Sequence, residues 1–372
     1  YTITVKPSGA PRTISGSASA NALIRTNGAS RFTIDGSLSG GTDRSLTISN
    51  TSITTPQVVR FSGIGVAPIT DNTLKNCIVI NGVNTSSAVI LTDAAGVAQY
   101  FTNITIQNND IRRAYIAIYC NAVVSGSNGS GLLITQNTMD NSGANAIRLV
   151  GAYLQGTNGA TVSQNAIGNF SAVEGENDIA IWMATGASNS TIAGNTVSNL
   201  GMTLTTTFAP YGIRESSGPV ASGNNITGNT VSNITSNGTT LVYGIATSSG
   251  GTTIQGNTVQ GVINTNTGTY GATGIDLTAG NNSIVRNNFV SNITHNMSGG
   301  LAFSTGFSVY GIRVLTGTGH VVVNNSVNLY GLMAGTATTS HMTAALAIVT
   351  TASTGMDVRN NILANNITGG TT

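Results

Sequence analysis

Charged side chains are scarce in this sequence. Asp, Glu, Lys and Arg make up only 7% of its 372 residues, whereas an ordinary soluble domain carries roughly 25%. The formal net charge is +2, and the only adjacent basic residues are Arg112 and Arg113. Because nucleic-acid binding needs a basic patch or stripe, we do not expect a nucleic-acid partner.

Cysteine and long apolar runs are scarce as well. The two cysteines, Cys77 and Cys120, do not make a disulfide scaffold, and we predict that both are buried free thiols. No apolar run approaches the ~18 residues of a membrane span, so we do not expect one. The chain begins with Tyr1 rather than Met, and we interpret it as a processed chain or a piece of a larger one.

Helix-forming residues are few, whereas Gly, Thr, Ser and Asn are frequent, and Val and Ile supply much of the apolar content. Hydrophobic residues make up 40% of the chain, which argues against disorder. The composition favours strands and turns. The length exceeds the ~150 residues of a usual single core. A solenoid escapes this limit, because each of its repeats packs only on its neighbours.

A repeat of the form Thr-aliphatic-x-x-Asn-x-aliphatic runs along most of the chain. Its clearest copies are residues 191–197 (TIAGNTV), 225–231 (NITGNTV) and 253–259 (TIQGNTV). Weaker copies end at Ile111, Met139, Ile167, Phe289, Val327 and Ile362. We place the Asn of the repeat at 109, 137, 165, 195, 229, 257, 287, 325 and 360, with Cys77 and Thr51 in its slot earlier. Because Asn tolerates a left-handed bend and carries both a donor and an acceptor, we predict a ladder of stacked Asn side chains.

A second motif lies between these copies and consists of a small residue, Ile, an outward residue and an aliphatic residue. Its copies begin at Gly212, Gly244, Gly274, Gly311 and, more loosely, at Ala117, Ala146 and Ala180. Each coil therefore holds at least two short strands, whose side chains alternate inward and outward. The predicted core includes Ile192, Val197, Ile213, Ile245, Ile254, Val259, Ile275, Ile284 and Ile312.

These repeats resemble the right-handed parallel β-helices of the pectate-lyase-like (pectin lyase-like) superfamily over nearly the whole chain. The stretches 3–9 (ITVKPSG), 12–16 (RTISG), 32–37 (FTIDGS) and 44–51 (RSLTISNT) resemble, more narrowly, repeat regions of very large secreted proteins of Bacteroidetes. The expected fold is an all-β, right-handed parallel β-helix solenoid of about ten coils. We expect a single domain over residues 1–372, with N-terminal coils in 1–60 and long stacked loops in 195–345.

The resemblance also implies a location and a role. Proteins of the Bacteroidetes group are exported by the type IX secretion route, and many serve as adhesins or gliding-associated filaments. We therefore expect this chain to be extracellular or on the outer cell surface. Because such repeats recur in proteins of different roles, the resemblance is more specific for fold than for function.

Enzymes of this superfamily cut acidic polysaccharides, and such sites need clustered carboxylates beside a basic residue. The acidic residues of this chain are scattered singly apart from one cluster, Glu174, Glu176 and Asp178. We therefore predict no catalytic residue. The cluster is interpreted either as a calcium site, since oxygen ligands suit that ion, or as a solvated loop, and no other metal or cofactor is expected.

Four charged residues are expected to share one outer column. Arg148, Arg214 and Arg313 each follow the Ile of the second motif, as Asp276 does. The column is interpreted either as a cationic strip for uronic acids or as a solvent-facing row. In the second case Asp276 and Arg313 form an exposed pair worth under ~1 kcal/mol.

Trp182 and the histidines complete the candidates on the coils. Trp182 takes the outward position of its motif, where its ring either stacks on a sugar or covers neighbouring side chains. His295, His320 and His341 show no spacing typical of metal ligands, and we expect them at the surface.

The segment between the repeat Asn and the following motif Ile becomes longer toward the C-terminus. From the repeat Asn to the following motif Ile the distance is 9 residues at Asn109–Ile118 and 25 residues at Asn287–Ile312. Insertions stacked on one face often form a binding face, so we predict a partner-contact surface at residues 200–211, 261–272 and 293–310. Its candidate aromatic residues are Phe208, Tyr211, Tyr243, Tyr270, Phe303, Phe307 and Tyr310. These rings either form a platform for a partner or pack beneath their own loops.

Two classes of function fit these observations. The lead hypothesis is a non-catalytic β-helical segment of a large secreted cell-surface protein, acting as a stalk or an adhesin. The alternative is a glycan-binding module, or a polysaccharide lyase or hydrolase, that uses the looped face. The expected partner is a glycan or another protein of the cell surface or secretion machinery.

Overall fold

The computed structural model describes residues 1–124, 129–172, 175–218, 222–268, 270–296, 309–333 and 342–369. Within these ranges the chain consists of parallel strands and turns, with one 3-10 helix at Gly143–Asn145. The fold is an all-β parallel solenoid of the right-handed type with about ten turns, which confirms the predicted fold class. No helix in the described part of the chain is long and apolar enough to cross a membrane.

The chain forms two compact units, which are described separately. Unit 1 comprises Tyr1–Ser171 and Ile181–Asn195, and unit 2 comprises Ala172–Ala180 and Thr196–Thr372. In both units a coil passes through three walls of parallel strands, named A, B and C in chain order. Unit 1 has a fourth, short wall D between walls C and A. The expectation of a single domain over residues 1–372 stays a prediction.

Wall A consists of short strands, most of them three residues long. In unit 1 its strands are Ile3–Val5, Phe32–Asp35, Thr73–Lys75, Thr105–Gln107, Leu133–Thr135, Thr161–Ser163 and Thr191–Ala193. In unit 2 they are Asn225–Thr227, Thr253–Gln255, Ile284–Arg286, Val321–Val323 and Asp357–Arg359.

Wall B differs in strand length between the units. In unit 1 its strands are Arg12–Gly16, Leu46–Asn50, Cys77–Ile80, Asp110–Arg112, Thr138–Met139 and Ala166–Gly168. In unit 2 they are Thr196–Met202, Thr230–Ser236, Thr258–Asn264, Phe289–His295, Ser326–Met333 and Ile362–Gly369. Part of the chain that we expected to form loops therefore lengthens these strands, because residues with positive φ such as Asn199 and Asn233 bend the strand without ending it.

Wall C carries the outward residues of the candidate site. In unit 1 its strands are Ala22–Asn27, Gln57–Ser62, Val89–Leu91, Ile116–Asn121 and Val150–Gln155, and in unit 2 they are Tyr211–Glu215, Val242–Thr247, Ala272–Leu277, Val309–Val314 and Thr343–Ile348. A further strand, Ile179–Met183, has residues in both units. Wall D consists of Ile69–Thr70, Phe101–Thr102, Gly129–Ser130 and Thr157–Asn158.

The corner between walls A and B is built from two residues. The first has positive φ, as in Asn108 (50°) and Gly256 (62°), and the second is the ladder residue. Asn137 shows the ladder geometry: its Nδ2 donates to the carbonyl oxygen of Ile106 over 2.9 Å and to Oδ1 of Asn165 over 3.0 Å. Each buried amide thus satisfies groups of two other coils, which confirms the predicted ladder.

Ladder residues recur through both units. In unit 1 they are Cys77, Asn109, Asn137, Asn165 and Asn195, and in unit 2 they are Asn229, Asn257, Asn288, Asn325 and Asn361. Cys77 and Cys120 are buried free thiols, as predicted, and burial raises the pKa of the Cys77 thiol to about 12. The placement of Thr51 in this slot was wrong, since Leu46 is the residue that pairs with Cys77.

The predicted register is wrong by one residue in two coils of unit 2. The ladder uses Asn288 and Asn361, because Asn287 and Asn360 take the preceding positive-φ position. Buried residues shift in the same way. Val285 and Val290 enter the core in place of Ile284 and Phe289, and Leu363 rather than Ile362 lies in the column of Val327.

The core consists of stacked columns of aliphatic side chains. Apart from Ile284, every residue of the predicted core is fully buried. Glycines before the motif Ile of wall C permit this packing in unit 2. A Cβ added to Gly244 would clash with Cγ1 of Val259, and Gly212, Gly274 and Gly311 face equivalent valines. The small residue of the second motif is therefore required for wall C to lie close against wall B.

Candidate functional site

One outward column on wall C of unit 1 brings chemically distinct side chains together. Strand register places Arg25 beside Arg60, Arg60 beside Ile90, Ile90 beside Tyr119 and Tyr119 beside Tyr153. Neighbouring strands lie about 4.8 Å apart, so the column presents one side chain per coil. The cationic residues lie at one end of the column and the aromatic residues at the other.

The aromatic end of this column consists of Tyr119, Tyr153 and Trp182, and we call it the aromatic column. The Tyr119 and Tyr153 rings are stacked with centroids 5.1 Å apart, and the Trp182 ring meets Tyr153 edge-on at 5.1 Å. All three side chains are partly exposed. Such rings offer both an apolar face and a polar edge to a ligand.

Hydrogen bonds hold the middle ring in place. The Tyr153 hydroxyl donates to Oε1 of Gln155 over 2.8 Å, and Nε2 of Gln155 donates to Oδ1 of Asn121 over 2.8 Å. Burial and then the neighbouring Tyr119 raise the pKa of Tyr153 to about 12, so the phenol stays neutral at ordinary pH. The aromatic column is therefore a fixed surface rather than a set of free rotors.

A pocket of about 190 Å³ adjoins the aromatic column. Its lining includes Arg60, Ile90 and Tyr119 from three successive coils of wall C. Gln57, Ser87, Thr92 and Gly96 complete the lining. The pocket therefore joins the cationic and aromatic ends of the column.

The looped face predicted in unit 2 is organised differently. Tyr211 and Tyr243 are register partners, and their rings stack with centroids 4.6 Å apart and planes at 4°. The Arg214 guanidinium lies 4.9 Å from the centre of the Tyr211 ring. Burial is the main cause that raises the pKa of both phenols. Both rings are only partly exposed, since they pack against charged side chains of their own wall.

Those charged side chains include a buried ion pair, which corrects the expectation of an exposed one. Nε of Arg313 donates to Oδ1 of Asp276 over 2.9 Å, and the two side chains are 2% and 0% exposed. Burial alone would lower the pKa of Arg313, but the adjoining Asp276 carboxylate outweighs it and raises that pKa. The pair is covered because Tyr243 and Tyr310 lie against Arg313.

The remaining aromatic candidates differ in exposure. Phe208 is 39% exposed and Tyr270 is partly exposed, whereas Tyr310 is fully buried and supports the surface rather than forming it. Phe303 and Phe307 lie outside the described residues. A shallow pocket of about 60 Å³ lies beside Tyr211 and Arg214. Whether this face contacts a partner stays a prediction.

Arg148 does not share the outer column of Asp276. The wall C strand of its coil begins at Val150, so Tyr153 takes the outward position that we assigned to Arg148. Arg148 instead lies in the preceding turn, with its guanidinium 5.6 Å from the centre of the Tyr115 ring. The predicted motif copy that begins at Ala146 was therefore wrong by several residues.

The acidic cluster gives no test of the calcium hypothesis. Glu174 lies outside the described residues, Glu176 is partly exposed and Asp178 is buried. Among the residues that the structure describes, no group of three or more His, Cys, Asp or Glu side chains is placed to hold a metal ion. A calcium site at this cluster stays a prediction.

Glu215 was missed by the sequence reasoning. Its carboxylate is fully buried and accepts hydrogen bonds from the Ser217 hydroxyl, Asn224 Nδ2 over 3.0 Å and the Thr247 hydroxyl over 2.6 Å. This network lies inside unit 2 at the corner between walls C and A. The second motif indicates its burial, because Glu215 follows the outward residue Arg214 and therefore occupies an inward position.

Two histidines were expected at the surface, and that expectation was wrong. His295 and His320 are fully buried, and His341 lies outside the described residues. Nδ1 of His320 accepts from the Ser283 amide over 3.2 Å, which leaves Nε2 to donate to the carbonyl oxygen of Thr316. Burial lowers the pKa of His320, so the ring is neutral.

No protein-family model matches this chain, and no curated protein matches it either. The A-module of the mannuronan C-5 epimerase AlgE6 of Azotobacter vinelandii is similar with a TM-score of 0.45 and 13% identity, covering 96% of this chain and 91% of that one. PfbA, a surface adhesin of Streptococcus pneumoniae, is similar with a TM-score of 0.28 and 14% identity, covering 88% and 77%. Neither similarity is close enough to assign a family or a function.

Proposed function

We propose that this chain is a non-catalytic, glycan-binding segment of a large secreted or cell-surface protein. The glycan lies along the outward face of wall C in unit 1. The observation that carries this proposal is the aromatic column, in which three partly exposed rings follow one another at 5.1 Å intervals.

The spacing of the rings suits an extended sugar chain. Each coil advances by about 4.8 Å, and consecutive sugars of an extended β-linked glycan advance by about the same distance. One pyranose ring therefore meets one coil. Its C–H groups pack on the outward parts of the rings while its hydroxyls stay in water, a division that amphipathic aromatic side chains support.

Two acidic side chains of unit 1 already serve the fold, which supports a non-catalytic role. The Asp93 carboxylate accepts the amides of Ala95 and Val97 in its own turn, over 2.9 and 2.8 Å. Asp110 pairs with Arg112. A catalytic pair needs two carboxyl groups facing one reacting bond, and these side chains are directed to other partners.

Replacing Trp182 by Ala tests the proposal. We expect the affinity of the full chain for cellohexaose, a neutral β-linked probe, to fall about tenfold, equivalent to about 1.4 kcal/mol, because a stacking face is lost. Isothermal titration calorimetry measures the change. Tyr330→Ala removes an exposed aromatic ring from wall B of unit 2 and serves as the matched control.

Absence of binding by the unaltered chain, or equal losses in the Trp182 and Tyr330 variants, contradicts the proposal. A second variant, Phe208→Ala, separates it from binding through the predicted looped face of unit 2, since Phe208 is the large exposed ring described there. If Phe208→Ala abolishes binding while Trp182→Ala leaves it intact, the contact surface lies on the looped face.

The surface location is a separate part of the proposal. It rests on the resemblance of the N-terminal stretches to repeats of large secreted proteins. Labelling intact cells with an antibody against this chain tests it, with a cytoplasmic protein as the control for lysis. Signal only after the cells are permeabilised overturns a surface location and, with it, secretion-machinery partners.

A further inference from the structure

Two arginines occupy neighbouring coils at the cationic end of the wall C column. Arg25 and Arg60 are register partners, so their backbones lie one strand spacing apart. Nε of Arg25 donates to the Ser62 hydroxyl over 3.1 Å, and its Nη2 donates to the carbonyl oxygen of Ala94 over 3.1 Å. Nη2 of Arg60 donates to the carbonyl oxygen of Asp93. The same loop therefore fixes both guanidinium groups.

Neither arginine forms an ion pair within the part of the chain that the structure describes. The Asp93 carboxylate is close enough to act electrostatically on Arg60, but its Oδ1 accepts the turn amides of Ala95 and Val97. Burial, and then the charge of Arg25, lower the pKa of Arg60. Two like charges are thus held close together, and neither forms an ion pair with a carboxylate of the described residues.

Arg60 also retains an unused donor. It is only 6% exposed, and its buried Nε–H donates to no atom of the described protein. A buried guanidinium donor without an acceptor is costly, so such groups normally meet an anion or a carbonyl oxygen. Arg60 lines the pocket of about 190 Å³, and so does Gln57, whose Oε1 is likewise buried without a partner.

From these contacts we propose that Arg60 forms an oxyanion subsite in this pocket, and that the glycan of the proposed function is therefore acidic. The ligand group is a carboxylate or a sulfate ester carried on a sugar. A guanidinium group presents a planar fork of donors that matches two oxygens of either group. This inference rests on the proposed function, since the aromatic column is what holds the sugar chain beside the pocket.

The column has the length and order that such a ligand requires. From Arg25 to Trp182 it spans six coils, or about 24 Å at about 4.8 Å for each of five steps. Sugars stacked on the aromatic column continue over Tyr119 into the pocket, where a substituent reaches Arg60. A chain with an acidic group on each sugar always places one of these groups at the pocket.

Three hexasaccharides with one backbone test this inference. They are cellohexaose, its derivative oxidised to a carboxylate at every C6, and its derivative sulfated at every C6. We expect at least one acidic probe to bind the full chain about tenfold more tightly than cellohexaose at low salt. The advantage shrinks as salt is raised. The two acidic arms distinguish carboxylate from sulfate.

Arg60→Gln is the deciding variant, and Arg12→Gln is its matched control. Arg12 is an exposed arginine on wall B of the same unit. We expect Arg60→Gln to remove the preference for the acidic probe while leaving the affinity for cellohexaose within about twofold. Should Arg60→Gln fail to fold, Gln57→Glu keeps Arg60 in place and sets an isosteric negative charge in the pocket lining, with the same expected loss.

The outcomes separate this inference from the proposed function. If all three probes bind equally and Trp182→Ala weakens each of them, the glycan-binding function stands and the oxyanion subsite is overturned. If the acidic preference persists in both Arg60→Gln and Gln57→Glu, the anion binds elsewhere and the subsite is overturned as well. If no probe binds, both proposals fail.

Discussion

Units 1 and 2 place different chemistry at the residue that follows the inward aliphatic side chain of wall C. In unit 1 that residue includes Tyr119, Tyr153 and Trp182, whose rings stay partly exposed. In unit 2 it includes Asp276 and Arg313, which pair with each other beneath tyrosine side chains. The same scaffold position therefore carries partly exposed aromatic rings in one unit and a buried ion pair in the other.

The corner between walls C and A differs in a parallel way. Unit 1 fills it with wall D, where Phe101 is fully buried. Unit 2 fills it with hydroxyl and amide groups around the carboxylate of Glu215. An apolar corner tolerates changes in pH, whereas a buried polar corner depends on every donor keeping its acceptor. The two units are therefore expected to respond differently to the same disturbance.

The largest expected effect comes from breaking the buried ion pair of unit 2. Asp276→Ala leaves Arg313 charged and buried, since a guanidinium group does not deprotonate in a protein. We expect a loss of about 3–5 kcal/mol, seen in urea unfolding and in faster hydrogen exchange at 272–277. Asp357→Ala, which breaks an exposed pair with Arg359, is the control and is expected to cost under ~1 kcal/mol. Equal losses of stability in the two variants would contradict the burial of the Asp276–Arg313 pair.

A smaller effect is expected from filling the glycine column of unit 2. Gly244→Ala forces a Cβ against Cγ1 of Val259, which we expect to cost about 1–3 kcal/mol by overpacking. In a Val259→Ala background the same change is expected to cost less, because one of the two clashing atoms is gone, while the added Cβ still meets the carbonyl oxygen of Gly274 at 2.5 Å. Unit 1 carries Ala117 at the matching position before Ile118, fully buried and without such a penalty. Additive costs in the double-mutant cycle would contradict this packing.

The smallest expected effect concerns pH. Burial holds the pKa of His320 below its ordinary value of 6.5, so the unfolded chain binds a proton before the folded chain does. The stability contributed by the neutral ring is complete above pH 6.5 and is lost progressively as the pH falls below that value. Hydrogen-exchange protection factors in unit 2 should therefore fall between pH 6.5 and 5 more than those of residues 1–195, which contain no histidine.

His320→Gln is the matched variant for this pH experiment. It removes the titrating ring, so the difference between the units is expected to shrink. If the difference between the units is the same in this variant, another titrating group of unit 2 causes the pH response.

Much of the fold could be predicted because its determinants are local. A corner of two residues needs a residue with positive φ followed by a residue with a side-chain amide. The pairs Gly194-Asn195 and Gly256-Asn257 show this order in the sequence. Where both residues are Asn, as at 287–288, composition does not say which one enters the ladder. The first takes positive φ, which explains the slip of one residue in the predicted register.

The candidate site was harder to predict for the opposite reason. Trp182 was recognised as outward, but its alignment with Tyr119 and Tyr153 required the true start of the strand at Val150. Burial of the Asp276–Arg313 pair depends on tyrosines that approach from neighbouring positions, which a one-dimensional motif does not encode. The unused donor of Arg60 depends on a loop that turns back over wall C.

The two-residue corner between walls A and B has a consequence for how such a chain changes over generations. Ladder residues of unit 2 lie 28, 31, 37 and 36 residues apart, yet every one of these coils turns this corner in the same way. Insertions are thus confined to the other two corners. The ladder acts as a fixed reference from which each coil is measured, so a lineage can lengthen, shorten or exchange whole repeats while the remaining coils keep their register.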